Sequence, residues 1–109
     1  MNPLEILFKD GASDIGPDMT PLLEQIKVQL NSDKKLVYVV RGHADPEEKG
    51  DKAATAKARA QAVIDWLVKA GIAKARLKLS AYGADLPIDT SATELGRTAN
   101  RRVDFEKSN

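Results

Sequence analysis

The chain is 109 residues long, with 17 Lys+Arg against 16 Asp+Glu, a net charge of +1 and 42% apolar residues. That suffices for one domain with a modest core, and the near-even charge balance argues against a nucleic-acid protein, which would normally carry a clustered basic face. Five scattered aromatic residues make no base-stacking platform, no apolar run approaches the ~20 residues of a membrane span, and the absence of cysteine excludes disulfides, thiol chemistry and thiolate zinc sites.

Taken in order, residues 4–8 (LEILF) alternate loosely and read as a short strand. Met1 to Phe8 is short and interrupted by Glu5, so it does not read as a signal segment. Residues 9–18 (KDGASDIGPD) are turn material. A helix is expected from Thr20, with Thr20 as its cap, Pro21 in the first position, and Met19, Leu22, Leu23, Ile26 and Leu30 on one face. Asn31, Ser32 and Asp33 should end it.

Residues 36–40 (LVYVV) show little polar alternation, as in an inner strand. A charged loop at residues 46–50 leads to a second helix over residues 51–70. Its apolar stripe is Ala53, Ala56, Ala60, Val63, Ile64 and Leu67, and Gly71 is its stop. Residues 76–83 (RLKLSAYG) alternate as a strand with Leu77 and Leu79 inward. Residues 84–92 read as loop, followed by a short helix around residues 93–97. In the final strand, residues 101–106 (RRVDFE), Arg101 shares a face with Val103 and Phe105, while Arg102 faces outward into solvent. The order β-α-β-α-β-(α)-β predicts one two-layer α/β domain over residues 1–109 with a mixed four-stranded sheet.

The stretch GHADPEEKGDKAATAKARA concentrates the groups that could do chemistry. Asp45 lies just past the carboxyl end of the inner strand, where open α/β sheets tend to bind ligands. Arg59 lies two turns into the second helix, beside its buried face. Together they could clamp an amino-acid zwitterion, the carboxylate accepting from the ammonium and the guanidinium forking onto the carboxylate. The alternative is a structural pair that locks the loop onto the helix, and spacing alone favours it. Arg101 could offer a second cationic contact, or be a paired structural charge. His43, the lone histidine, lacks the nucleophile and orienting partner of a general base and a second histidine for a usual zinc site. Glu47, Glu48 and Asp51 read as a solvated loop, with no calcium-loop spacing. The glycines form no phosphate cradle. No catalytic residue, metal or cofactor is expected, and the chain is not read as an enzyme.

Four pieces, GHAD after an apolar strand, RAQAVIDWLVKAGI, YGADLPI and GRTANRRVDF, occur in order between residues 42 and 105, within a match that runs over about residues 8–106. Together they resemble the OmpA-like peptidoglycan-binding domain family of outer-membrane proteins, lipoproteins and flagellar stator proteins. The resemblance implies a mixed four-stranded sheet with helices on one face, and a non-enzymatic role. Its ligand would be the diaminopimelate of the peptidoglycan stem peptide, held by Asp45, Arg59 and Arg101. The chain departs from the pattern at Ala44, where a threonine is expected, and at Lys52, where an asparagine is expected. Thr55 and Ala56 stand for a Leu-Ser pair, and the loop between Asp45 and Arg59 is one residue short. Lys52 would either replace a lost donor or repel the ligand's ammonium. The resemblance thus implies a periplasmic wall anchor, outer-membrane associated through a part outside these residues. Self-association, as in a homodimer, or tethering would raise its apparent affinity for a polymer of repeated sites. The other reading is a protein-interaction or scaffold module with a degraded wall site.

Overall fold

Four strands and three helices alternate along the chain in the computed structural model, which describes residues 2–87 and 93–108. The strands are β1 (Asn2–Leu7), β2 (Tyr38–Gly42), β3 (Leu77–Ala81) and β4 (Arg102–Lys107), and the helices α1 (Thr20–Ser32), α2 (Lys52–Lys69) and α3 (Glu94–Asn100). The sheet order is β1-β4-β2-β3. β2 and β3 are parallel, as the α2 crossover between them requires, and both other pairs are antiparallel. The sheet is therefore mixed and four-stranded, as expected. The part of the 84–92 loop at residues 88–92 lies outside the described residues.

Alternation fixes the two faces of the sheet. Tyr38 and Val40 of β2, Val103 and Phe105 of β4 and Ile6 of β1 point into one core. α1 contributes Leu23, Ile26 and Leu30, and α2 contributes Ala60, Val63, Ile64 and Leu67. The small residues of α2 let it sit close: a Cβ on Gly42 would fall 1.9 Å from the Ala56 carbonyl oxygen and 3.1 Å from the Ala60 Cβ. Only a glycine admits that approach, and it fixes the height of α2 over the end of β2.

Several local expectations shift. Thr20 is not the cap of α1: a 3-10 turn at Pro17–Met19 runs straight into the helix, so Met19 takes that place and makes no side-chain cap. Asp51 caps α2 by accepting from the Ala54 N–H, and Gly71 follows its end with φ +105°. Ala53, placed in the α2 stripe by its spacing, is exposed because it lies at the helix start. Leu77 is buried, but Leu79 on the same face is 36% exposed, because β3 is an edge strand.

The outward face of the sheet is not simply solvated. Arg41 and Asp104 are cross-strand partners on β2 and β4, and Arg41 forks onto Asp104 at 2.6 and 3.1 Å. His43 Nε2 lies 3.1 Å from Asp104 Oδ2, and its ring stacks on Tyr82 with centroids 5.5 Å apart. Arg102, expected in solvent, is buried here: it reaches Asp104 and donates to the Leu86 carbonyl. The segment after β3 lies over this face and removes the water that a strand-level reading grants Arg102. Burial alone would raise the Asp104 carboxyl, but His43 and Arg41 outweigh it and hold it well below the usual carboxylate range.

The Gly42 contact is the sharpest packing constraint. Gly42→Ala should lower unfolding free energy in urea by about 3 kcal/mol or more, as overpacking against a backbone group demands. Leu95→Ala, at an 83% exposed position, should stay within about 0.5 kcal/mol of the parent. A Gly42→Ala variant of parental stability would contradict the packing described.

Candidate functional site

The site forms where β2 ends. After Gly42 the chain runs through His43 and Ala44 into a turn, with the Glu48 N–H donating to the Asp45 carbonyl at 3.1 Å. Asp at the first and Pro at the second position suit such a turn. The Asp45 side chain accepts from the Glu47 N–H at 2.9 Å and from Asn100 Nδ2 at 2.8 Å. Asp45 is thereby tied to the end of α3 and is 2% exposed. Ala44 is buried, and its N–H donates to the Gly83 carbonyl.

Arg59 is fully buried, on the inner face of α2 rather than beside it. Its partner is not Asp45 but Glu48. Nη1 and Nη2 donate to the two Glu48 oxygens at 2.7 and 2.6 Å. Nε donates to Ala12 O, Nη1 also to His43 O, and Nη2 also to Lys9 O. All five guanidinium N–H groups are thus used, and the Phe8 ring lies 5.4 Å from the guanidinium carbon. Glu48 is matched from its own side: Oε1 accepts the Asp45 N–H at 2.9 Å and Oε2 the Gly11 N–H at 2.7 Å. A carboxylate here meets four donors at once. Such a pair tolerates burial because every polar atom is satisfied.

Glu48 was expected in a solvated loop, and that expectation fails, since it is 4% exposed. Burial pushes its carboxyl up, but Arg59 and the N–H groups of Asp45 and Gly11 outweigh that and leave it below the ordinary value of 4.5. The sequence did carry a sign. Asp45-Pro-Glu-Glu48 matches the reciprocal capping pattern in which a Glu reaches back to the N–H three residues earlier. Asn100, the second partner of Asp45, lies 55 residues away in the chain, and no local spacing joins the two.

Arg101 follows α3 and precedes β4. Its guanidinium donates to Phe8 O at 3.1 Å, to Glu94 Oε1 at 2.9 Å and to Thr98 Oγ1 at 3.0 Å. It also lines a cleft of about 400 Å³ between the 7–19 segment and α3, walled by Phe8, Ile15, Pro17 and Met19. Neither Asp45 nor Arg59 lines that cleft, but Lys9 and Ala12, whose carbonyls hold Arg59, do. Lys52 opens α2 seven residues before Arg59, roughly 10 Å along the axis, and no hydrogen bond or ion pair joins it to Asp45, Arg59 or Arg101 among the described residues. Asp45, Arg59 and Arg101 thus surround the junction of two loops, while Lys52 stands apart. No group of metal-ligating residues occurs among the described residues.

An α/β domain with a mixed four-stranded sheet and charged residues gathered at the end of an inner strand defines the class. Residues 7–101 match the OmpA family, and the chain belongs to that family. It is 37% identical over 86 residues to a peptidoglycan-associated lipoprotein of Mesorhizobium japonicum, covering 76% of this chain and 50% of that protein. It is 33% identical over 117 residues to outer membrane protein A of Serratia odorifera, covering 94% and 47%. The chain therefore spans about half the length of these curated relatives. The fold superposes on the C-terminal domain of Helicobacter pylori MotB with a TM-score of 0.89 at 26% identity, covering 96% of this chain and 84% of that one. A peptidoglycan-associated lipoprotein from Burkholderia pseudomallei gives 0.88 at 22% identity, covering 95% and 89%. The relatives are thus envelope proteins, none named as an enzyme, and no helix among the described residues is long and apolar enough to cross a membrane.

Because the Glu48 carboxyl is depressed in the folded state, its stabilising share is complete above its unfolded value and is lost as pH falls through its folded value. Wild-type unfolding free energy should decline on acidification below about pH 4.5, with Asp104 contributing in the same sense. Glu48→Gln should be less stable at neutral pH and show a shallower decline. Parallel curves for the two proteins would show that Glu48 is not ionised against Arg59.

Proposed function

We propose that this domain binds peptidoglycan non-covalently, through the diaminopimelate of the stem peptide, and so anchors an envelope protein to the cell wall. The observation that carries the reading is the carboxylate receptor around Arg59: a two-pronged guanidinium with two backbone N–H groups beside it, next to the Asp45 carboxylate. The free end of diaminopimelate carries an ammonium and a carboxylate on one carbon, and those charges match Asp45 and Arg59. Arg101 adds a cation on the neighbouring cleft. Membership of the OmpA family and similarity to a peptidoglycan-associated lipoprotein support the same reading. On it, the domain works in the periplasm, attached to the outer membrane by a part of the protein outside these residues.

A second reading is a protein-interaction module whose wall site is closed. The observation in its favour is that Glu48 already fills the receptor, with Arg59 at 0% exposure.

The two are separated by co-sedimentation with diaminopimelate-type sacculi. Wild type should pellet, Asp45→Asn and Arg59→Ala should not, and Arg101→Ala should pellet less, with far-UV circular dichroism checking that each variant is folded. Equal pelleting of all four proteins would reject the assigned site, and no pelleting of wild type would favour the second reading.

A further inference from the structure

We propose that Glu48 is a resident ligand of the Arg59 receptor, which an external carboxylate displaces as the 46–50 loop swings away. The wall-binding reading above supplies the identity of the natural competitor, and only that.

Two independent features lead here. The first is the chemistry of the pocket. Arg59 Nη1 and Nη2, Asp45 N and Gly11 N converge on one carboxylate, and nothing in that set is particular to a glutamate. The remaining Arg59 donors go to the carbonyls of Lys9, Ala12 and His43. Those three bonds do not involve Glu48 and would hold the guanidinium in place while its partner changes. Any carboxylate of similar reach could take the same four bonds.

The second is how the loop is held. Of residues 46–50, only Glu48 is buried, and Pro46, Glu47, Lys49 and Gly50 are all exposed. Among the described residues, the Glu47 N–H on the Asp45 side chain and the Glu48 N–H on the Asp45 carbonyl lie within the turn itself, and the exposed Glu47 makes only a long contact of 3.7 Å with Arg97, which contributes little in water. Gly50 sits at φ +88° with nothing within 4 Å of where a Cβ would lie, so the chain can pivot there before the Asp51 cap. The Asp45 side chain keeps its Asn100 bond on the other side of the turn. Release of one side chain thus frees the loop without dismantling α2 or the sheet. Charge is conserved across the exchange, since one carboxylate replaces another, and while Glu48 is out the departed loop leaves Arg59 open to water rather than buried alone. The loop therefore sets affinity as a lid does: the ligand binds only the fraction of molecules in which Glu48 is out.

The test is a titration of Glu48→Ala with formate, chloride serving as the ionic-strength control. Formate should produce saturable nitrogen–proton NMR shifts at the Gly11 and Asp45 amides and at Arg59 Nε, and should raise the thermal midpoint of this variant but not of wild type. The double variant Glu48→Ala/Arg59→Leu should not respond. If Glu48→Ala is unfolded in chloride, formate should restore its circular dichroism. No shift, no stabilisation and no recovery would overturn the inference.

Diaminopimelate, titrated in parallel, separates the two proposals. It should bind Glu48→Ala about tenfold or more tighter than wild type, the gain expected if the open form is populated to roughly one part in ten. Binding of formate without diaminopimelate would keep the exchange and sink the wall-binding reading. Equal diaminopimelate affinity in both proteins, with the Gly11 amide unmoved, would do the reverse.

Discussion

Arg59 cannot be left alone. It is the largest fully buried side chain among the described residues, and a buried cation without its anion costs several kcal/mol. Everything around the end of β2 answers that demand. The 9–12 segment turns its carbonyls inward, His43 offers its own, Phe8 lies against the guanidinium, and the 45–48 turn delivers Glu48. The position of α2 is set by Gly42, which lets Ala56 and Ala60 touch the strand and so carries Arg59 beneath both loops. A packing constraint in the core thus determines where the charge sits, and the charge determines how the loops close.

The same logic repeats, inverted, on the far face of the sheet. There a buried anion, Asp104, gathers Arg41, His43 and Arg102. Tyr82 covers that cluster with its ring, stacking on His43 and lying 5.5 Å from the Arg41 guanidinium carbon. His43 therefore links the two charge centres, its side chain facing Asp104 and its carbonyl facing Arg59. That role needs neither catalysis nor metal, and it accounts for a histidine placed between a strand and a turn.

What could be read from the sequence follows from the range of the forces involved. The elements came out because apolar spacing is local: the α1 face, the α2 stripe and the alternation of β4 are legible within a dozen residues. Asp45 at the end of β2 and Arg59 on α2 are legible as positions, while in the structure the two meet through Glu48 rather than directly. The partner of Arg59 is not legible, because Asp45 and Glu48 are three residues apart and only the turn decides which carboxylate faces inward. The burial of Arg102 is hidden for a similar reason. Its face is polar by pattern, and the burial comes from a segment 16 residues earlier in the chain. Nor is the start of α1 legible at Thr20, because a preceding 3-10 turn supplies the helix entry that its hydroxyl would otherwise cap.

The account stands on a closed Arg59 receptor holding a carboxylate, either its own chain's or a ligand's. A crystal structure of the domain saturated with diaminopimelate addresses that directly. The ligand's carboxylate should occupy the fork of Arg59, with its ammonium on Asp45 and Glu48 turned out to solvent. Ligand bound elsewhere, with Glu48 still seated on an unmoved Arg59, would contradict it.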